Sequence, residues 1–151
     1  MTVAMAEQNF RMQNIVSLRA RQRDTAAGAY KEALAAKAKL QSQIDELLRE
    51  HAAQKPLQTR SSGGQVNTQW LIESQRYQLH LLQQVGAINA QLELIDAECE
   101  KRRLNLVTKE QALRSLEKLR EKKQAEWALH LATREQDALD QFANFQHWKE
   151  S

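Results

Sequence analysis

From residue 81 onward, apolar residues return at alternating steps of four and three. The series runs Leu81, Val85, Ile88, Leu92, Ile95 and Cys99, and it continues through Leu106, Leu113 and Leu116. Such spacing holds one stripe on one side of a supercoiling helix and specifies a coiled coil. Arg102 and Lys109 interrupt the series. Polar residues at these positions fix register at some cost in stability. The first third of the chain answers with Ala26, Ala29, Ala33, Ala36, Leu40, Ile44 and Leu47. Small alanine layers let two helices approach closely.

Only KPLQTRSSGGQVN, residues 55–67, breaks the helical pattern. Pro56 disfavours helix at the residue before it, and Ser61-Ser62-Gly63-Gly64 is a turn signal. Asn67 or Thr68 suits the cap of a restart. The pattern therefore predicts a first helix over about 6–55, a turn over about 56–66 and a second helix over about 67–147. Gly28 and Gly86 fall inside these helices, each costing up to about 1 kcal/mol relative to Ala. The predicted fold is all-α, a single-domain, long antiparallel two-helix coiled-coil hairpin, because a short connection makes antiparallel pairing economical.

Folding at a turn centred near residues 61 and 62 sets Leu40 near Gln83 and Phe10 near Leu113. The first helix then runs out opposite about residue 117. Beyond it stand about 30 residues of C-terminal helix, roughly 45 Å at 1.5 Å per residue. This overhang carries WALHLATREQDALDQFANF, residues 127–145. Trp127, Leu131, Ala138, Phe142 and Phe145 form a narrow stripe on one helix face. An unpaired helix with an apolar stripe is a binding surface or an oligomer seam.

Composition narrows the choices. One Pro, four Gly and 5% aromatic residues in 151 suit narrow helices better than a broad core. Four of the aromatics, Trp127, Phe142, Phe145 and Trp148, lie in the overhang. No apolar run reaches the roughly 20 residues of a membrane span. The start MTVAMAEQNFR lacks the basic and apolar regions of a signal peptide. Cys99 is the only cysteine, which points to a reducing cytoplasm. The net charge of +3 is unevenly placed. Arg11, Arg19, Arg21 and Arg23 form one basic cluster, and residues 101–123 hold nine Lys or Arg against three Glu.

Enzyme motifs are absent, and a two-helix hairpin has no cavity to hold a substrate away from water. No cofactor or metal is expected. Glu126 and His130, four apart, read as a solvated helix pair rather than half a metal site. Cys99 continues the heptad and reads as a small core residue. The KLREKK cluster at 118–123 is interleaved with Glu117, Glu121 and Glu126 and has no aromatic platform, so it reads as partner-facing rather than nucleic-acid-binding.

The chain opens with Phe10, Val16, Leu18 and Arg19, then Arg23-Asp24 with Ala26 and Ala27. Near its end, LEKLREKKQAEW (116–127) precedes REQDALDQ (134–141). In these features it resembles the FliJ family, small flagellar export proteins of the bacterial type III secretion apparatus. Glu135, Gln136, Leu139 and Asp140 match the family's closing segment, with Gln141 where Glu is usual. The resemblance implies a non-enzymatic cytoplasmic stalk, similar to the central stalk of rotary ATPases, at the inner face of the cell membrane. It implies three partners: a hexameric export ATPase (FliI-like), an export gate protein (FlhA-like) and export chaperones. The ATPase would meet Lys118, Arg120, Lys122, Lys123, Trp127, Leu131, Phe142 and Phe145. The gate would meet Gln43, Leu47, Tyr77 and Leu81, although the tyrosines usual on the first helix give way to Glu50 and His51. The residues alone leave open a self-associating coiled-coil adaptor.

Overall fold

The computed structural model describes the backbone of residues 2–61 and 68–151, and the side chains of residues 7–54 and 68–151. Helix α1 spans Thr2–Ser61 and α2 spans Thr68–Glu150. The two pack against each other as an antiparallel hairpin. Residues 62–66 of the expected turn and the candidate cap Asn67 lie outside the described residues. Residues 56–61 of that turn are helical instead. Pro56 does not end α1, which runs on to Ser61.

The chain divides into two compact units, Asp24–Val107 and Met1–Arg23 with Thr108–Ser151. In the Asp24–Val107 unit the heptad positions form the seam. Leu81 is 2% exposed, Ala33 3%, Ala26 5% and Cys99 7%. Val85, Ile88, Leu92, Ile95 and Leu106 are half-buried, as are Leu40, Ile44 and Leu47. No large described side chain is completely enclosed, as expected where each helix buries one stripe.

Two polar groups on this seam find partners across it. The Lys37 ammonium lies 2.7 Å from an Asp96 carboxylate oxygen. Arg102, which interrupts the heptad, donates from Nε to Glu98 at 2.9 Å and from Nη1 to the Ala29 carbonyl at 2.8 Å. A guanidinium carries several donors in a fixed fork, so one side chain satisfies a carboxylate on its own helix and a backbone oxygen on the other. The polar layer is thereby tied to one register.

That register differs from the expected one. Lys37 faces Asp96, and Gln43 and Leu47 share a groove with Gln84, Ala87 and Ile88, so Leu40 does not face Gln83. In the other unit Arg120 donates to Gln13 at 3.0 Å. There Gln8, Asn9 and Met12 share a groove with Lys123, Gln124, Glu126, Trp127 and His130, so Phe10 does not face Leu113. The expected pairings took the turn to start at residue 56, whereas α1 continues to Ser61.

The Met1–Arg23 and Thr108–Ser151 unit has a seam of its own. Leu113 is 4% exposed and Val16 8%, with Met12, Arg19, Arg23 and Leu116 half-buried around them. Arg23 lines a shallow groove with Glu110, Leu113, Arg114 and Glu117. Trp127 is half-buried and is the last such residue on α2. Residues 128–150 are all exposed.

Candidate functional site

The overhang is an uninterrupted helix because its residues, rich in Ala, Leu, Glu and Gln, favour that state and no Gly or Pro intervenes. Local side-chain contacts reinforce it. Gln136 donates to Asp140 at 3.2 Å, and Thr133 Oγ1 donates to the Leu129 carbonyl at 2.9 Å. The rings of Trp127 and His130 lie 5.9 Å apart, and those of Phe145 and Trp148 6.5 Å apart. These three- and four-residue spacings join neighbours on one helix face.

The stripe begins later in its free state than the turn reading gave. α1 reaches Trp127 and His130 through Gln8, Asn9 and Met12, so the exposed stretch is about 20 residues, roughly 30 Å, rather than about 30 residues. Trp127 is half-buried, and every residue from 128 to 150 is exposed. Leu131 is 40% exposed, Phe142 60% and Phe145 57%. Trp148, outside the expected site, is 75% exposed on an edge of the same face. Leu139, at 63%, lies off the stripe centre. Its helical angle already separates it from Phe145 in the sequence, by about 120°.

The expected basic residues lie in the paired part of the unit, not on the bare helix. Arg120 is engaged with Gln13, and Lys123 lines the groove with α1. Lys118 and Lys122 are exposed. From Glu7 to Arg23 and Thr108 to His130 this part holds Arg11, Arg19, Arg21, Arg23, Lys109, Arg114, Lys118, Arg120, Lys122 and Lys123 against Glu7, Glu110, Glu117, Glu121 and Glu126. The bare helix holds Arg134 and Lys149 against Glu135, Asp137, Asp140 and Glu150. The sign of the charge therefore inverts beyond His130.

A second surface lies in the Asp24–Val107 unit. Gln43, Glu46, Leu47, Glu50, Gln84, Ala87 and Ile88 line an open groove of about 410 Å³. Gln43 and Tyr77 are exposed, Leu47 is half-buried and Leu81 is buried in the seam; neither Tyr77 nor Leu81 lines this groove. The Tyr77 hydroxyl donates to the Glu50 carboxylate on the facing helix. That hydrogen bond, then burial, holds the phenol above its ordinary pKa. Close by, Ser74 is buried and Gln78 Nε2 is enclosed with no hydrogen-bond partner. These polar positions continue the heptad backward from Leu81. Sequence reasoning missed them because it sought apolar residues there.

Among the described residues no cluster of His, Cys, Asp and Glu is arranged to hold a metal, and no helix is long and apolar enough to cross a membrane. Cys99 is buried, and the His130 ring lies tilted beside that of Trp127. No curated protein and no solved structure gives a significant match to the chain. A family comparison does: residues 8–151 match the flagellar FliJ protein family. Two paired helices, a bare aromatic helix end and this match over nearly the whole length lead to one conclusion: the chain belongs to the FliJ family, a non-catalytic component of the flagellar export apparatus.

Proposed function

We propose that this protein is a cytoplasmic stalk that seats its bare C-terminal helix in the hexameric ring of the flagellar export ATPase and presents its turn-proximal groove to the export gate. The observation that carries the reading is the exposed stripe of Leu131, Phe142 and Phe145 on a helix that has outrun its partner. Trp127 anchors the base of the stripe. An apolar face of this kind gains free energy only when another surface covers it. A ring pore covers a single helix on all sides, which a flat surface does not. Lys118, Arg120, Lys122 and Lys123 then stand at the mouth of the ring rather than inside it.

Gln43, Leu47 and Tyr77 form the gate-facing surface, with Leu81 supporting them from the seam. Export chaperones are further partners in this reading, and association with the membrane is peripheral. The protein acts by occupying the ring asymmetrically and promoting its assembly or turnover, with no catalytic group of its own.

The test compares the full chain with a chain ending at His130. The shorter chain keeps every described α1–α2 contact and should retain the helical signal of the hairpin by circular dichroism. It should fail to recover the ATPase from the lysate of the source cell, whereas the full chain recovers it. Equal recovery by both chains removes the overhang from the contact. A self-associating adaptor is the second reading, resting on the same stripe. A stable dimer of the full chain in sedimentation at low micromolar concentration, lost on truncation, selects it instead.

A further inference from the structure

We infer that a second copy of this chain covers the outer side of α2 in the Asp24–Val107 unit, the two copies lying parallel and in register. This face is separate from the overhang, and the inference does not depend on the ATPase seat. Taking Leu79 as the reference direction, Gly86, Ala90 and Ala97 fall within about 20° of it at 100° per residue. Leu82 and Leu94 stand about 60° to either side. The seam residues Leu81, Ile88, Ile95 and Cys99 lie on the opposite side, roughly 160–200° round. All six outer residues are exposed, Leu79 at 57% and Leu94 at 74%. The polar residues inside the same arc are Gln83 and Glu93. From Leu79 to Ala97 the face runs roughly 27 Å.

The outer side of α1 over the facing stretch is of the other kind. Lys39, Asp45, Glu46 and Arg49 stand exposed there. A helix that buries one stripe and meets water elsewhere carries such a charged back. Apolar residues on two opposite sides belong to a helix that packs twice. Gly86, Ala90 and Ala97 along the middle leave room for a second backbone to come close, and a Cβ at Gly86 would meet no atom within 4 Å.

Charge selects the occupant and its direction. On the Leu94 side, Arg76 and Lys101 stand about 60° and 40° from the reference, one beyond each end of the apolar stretch. On the Leu82 side, Glu93 and Glu100 stand about 40° and 60° from it. The remaining acids nearby are taken up within the unit, Asp96 by Lys37 and Glu98 by Arg102. Glu100 also holds Arg103 at 2.7 Å, and Arg103 lies farther round toward the seam. In a parallel pair with its two-fold axis along the helices, the Leu94 side of one copy faces the Leu82 side of the other. Lys101 then meets Glu100 of the second copy, and symmetry repeats the contact. Leu79, Gly86, Ala90 and Ala97 meet their own counterparts in the middle. An antiparallel pair centred on the same stretch faces each side with itself. That sets Arg76 against Lys101, and like charges repel.

The experiment follows the full chain, kept reduced, by sedimentation velocity from low to high micromolar concentration. A dimer is expected, its share rising with concentration. Leu79→Glu/Leu94→Glu should weaken association about a hundredfold or more, because it places unpaired carboxylates in the buried middle. Phe142→Ala/Phe145→Ala, on the overhang, should leave association unchanged. All four positions are exposed, so the helical signal by circular dichroism is a control that should not move. Direction is read by cross-linking. In a Cys99→Ala chain, which by itself cannot link, Ala97→Cys should give a disulfide-joined dimer on mild oxidation. In the antiparallel pair, position 97 lies opposite position 79 and the two thiols stand roughly 27 Å apart, too far to join. A chain that stays monomeric at every concentration overturns the inference. So does a dimer that the alanine pair dissolves and the glutamate pair does not, since the overhang then makes the contact. A dimer lost with the glutamate pair but never linked through position 97 overturns the parallel arrangement.

Discussion

Two stretches of α2 carry apolar residues at helical spacing, yet one is a core and the other is a surface. Along the Leu81–Cys99 seam, Leu81 is 2% and Cys99 7% exposed. Along the overhang, Phe142 is 60% and Phe145 57% exposed, although phenylalanine is the more apolar choice. The difference lies in the neighbour. The seam keeps an unbroken step of four and three and faces α1, whereas beyond His130 no described side chain of α1 lines α2. Residue type therefore does not distinguish folding from binding here. Larger side chains stand where the chain has nothing left to cover them, and smaller ones stand where two helices must approach.

The most forceful way to break this comparison is to truncate one residue on each side. Leu113→Ala, in the seam at 4% exposure, should cost about 2–4 kcal/mol of stability in a denaturant titration. Phe142→Ala, which removes more apolar surface, should stay within about 0.5 kcal/mol of the unaltered chain. Comparable losses at both positions would mean that the overhang is covered in the free protein.

Gln78 sharpens the comparison inside the seam. Its side-chain nitrogen is enclosed and has no partner, a state that costs about 1–3 kcal/mol. Gln78→Leu restores an apolar layer next to Leu81 and should raise stability by about 1 kcal/mol, read as a higher midpoint with unchanged slope. A fall in stability would indicate that water satisfies the amide.

Smaller gains are expected at Gly28 and Gly86. Both sit inside helices, and a Cβ at either would meet no atom within 4 Å. Alanine at each should add about 0.5–1 kcal/mol through helix propensity alone. Thermal melts of the single and double variants check this, and the two gains should add because the sites share no contact.

The weakest expected effect is that of pH. Hydrogen bonds from Arg102 and Arg103 hold Glu98 and Glu100 below their ordinary value of 4.5, and the pair with Asp96 holds Lys37 above 10.5. For the two carboxylates, the contribution is present above the ordinary value and fades as pH falls through the lowered one. For Lys37 it is present below 10.5 and fades as pH rises through the raised value. All these groups are solvent-screened, so melting temperature should stay flat from about pH 5 to 9 and fall only gently outside that window. A steep change within it would contradict the solvent screening of these pairs.

The sequence by itself determined two helices, the seam on each and the stripe that remains bare. These follow from local propensity and from the angle between successive side chains, which each segment carries without reference to its partner. The stripe from Leu131 to Phe145 and the heptad from Leu81 to Leu116 are both legible in that way. Arg102 at a heptad position announced a polar layer, but its acceptor, the Ala29 carbonyl, belongs to another part of the chain. What only the tertiary structure decided is the register. Heptad layers recur every three or four residues, so an antiparallel pair can slide by that step and still match apolar to apolar. Pro56 suggested a helix end that the continued helix to Ser61 overrules. The contact of Arg120 with Gln13 and the groove shared by Gln8, Asn9, Met12 and Trp127 place the basic residues in the paired part of the unit, because a pairing is a contact between distant segments that neither segment carries alone.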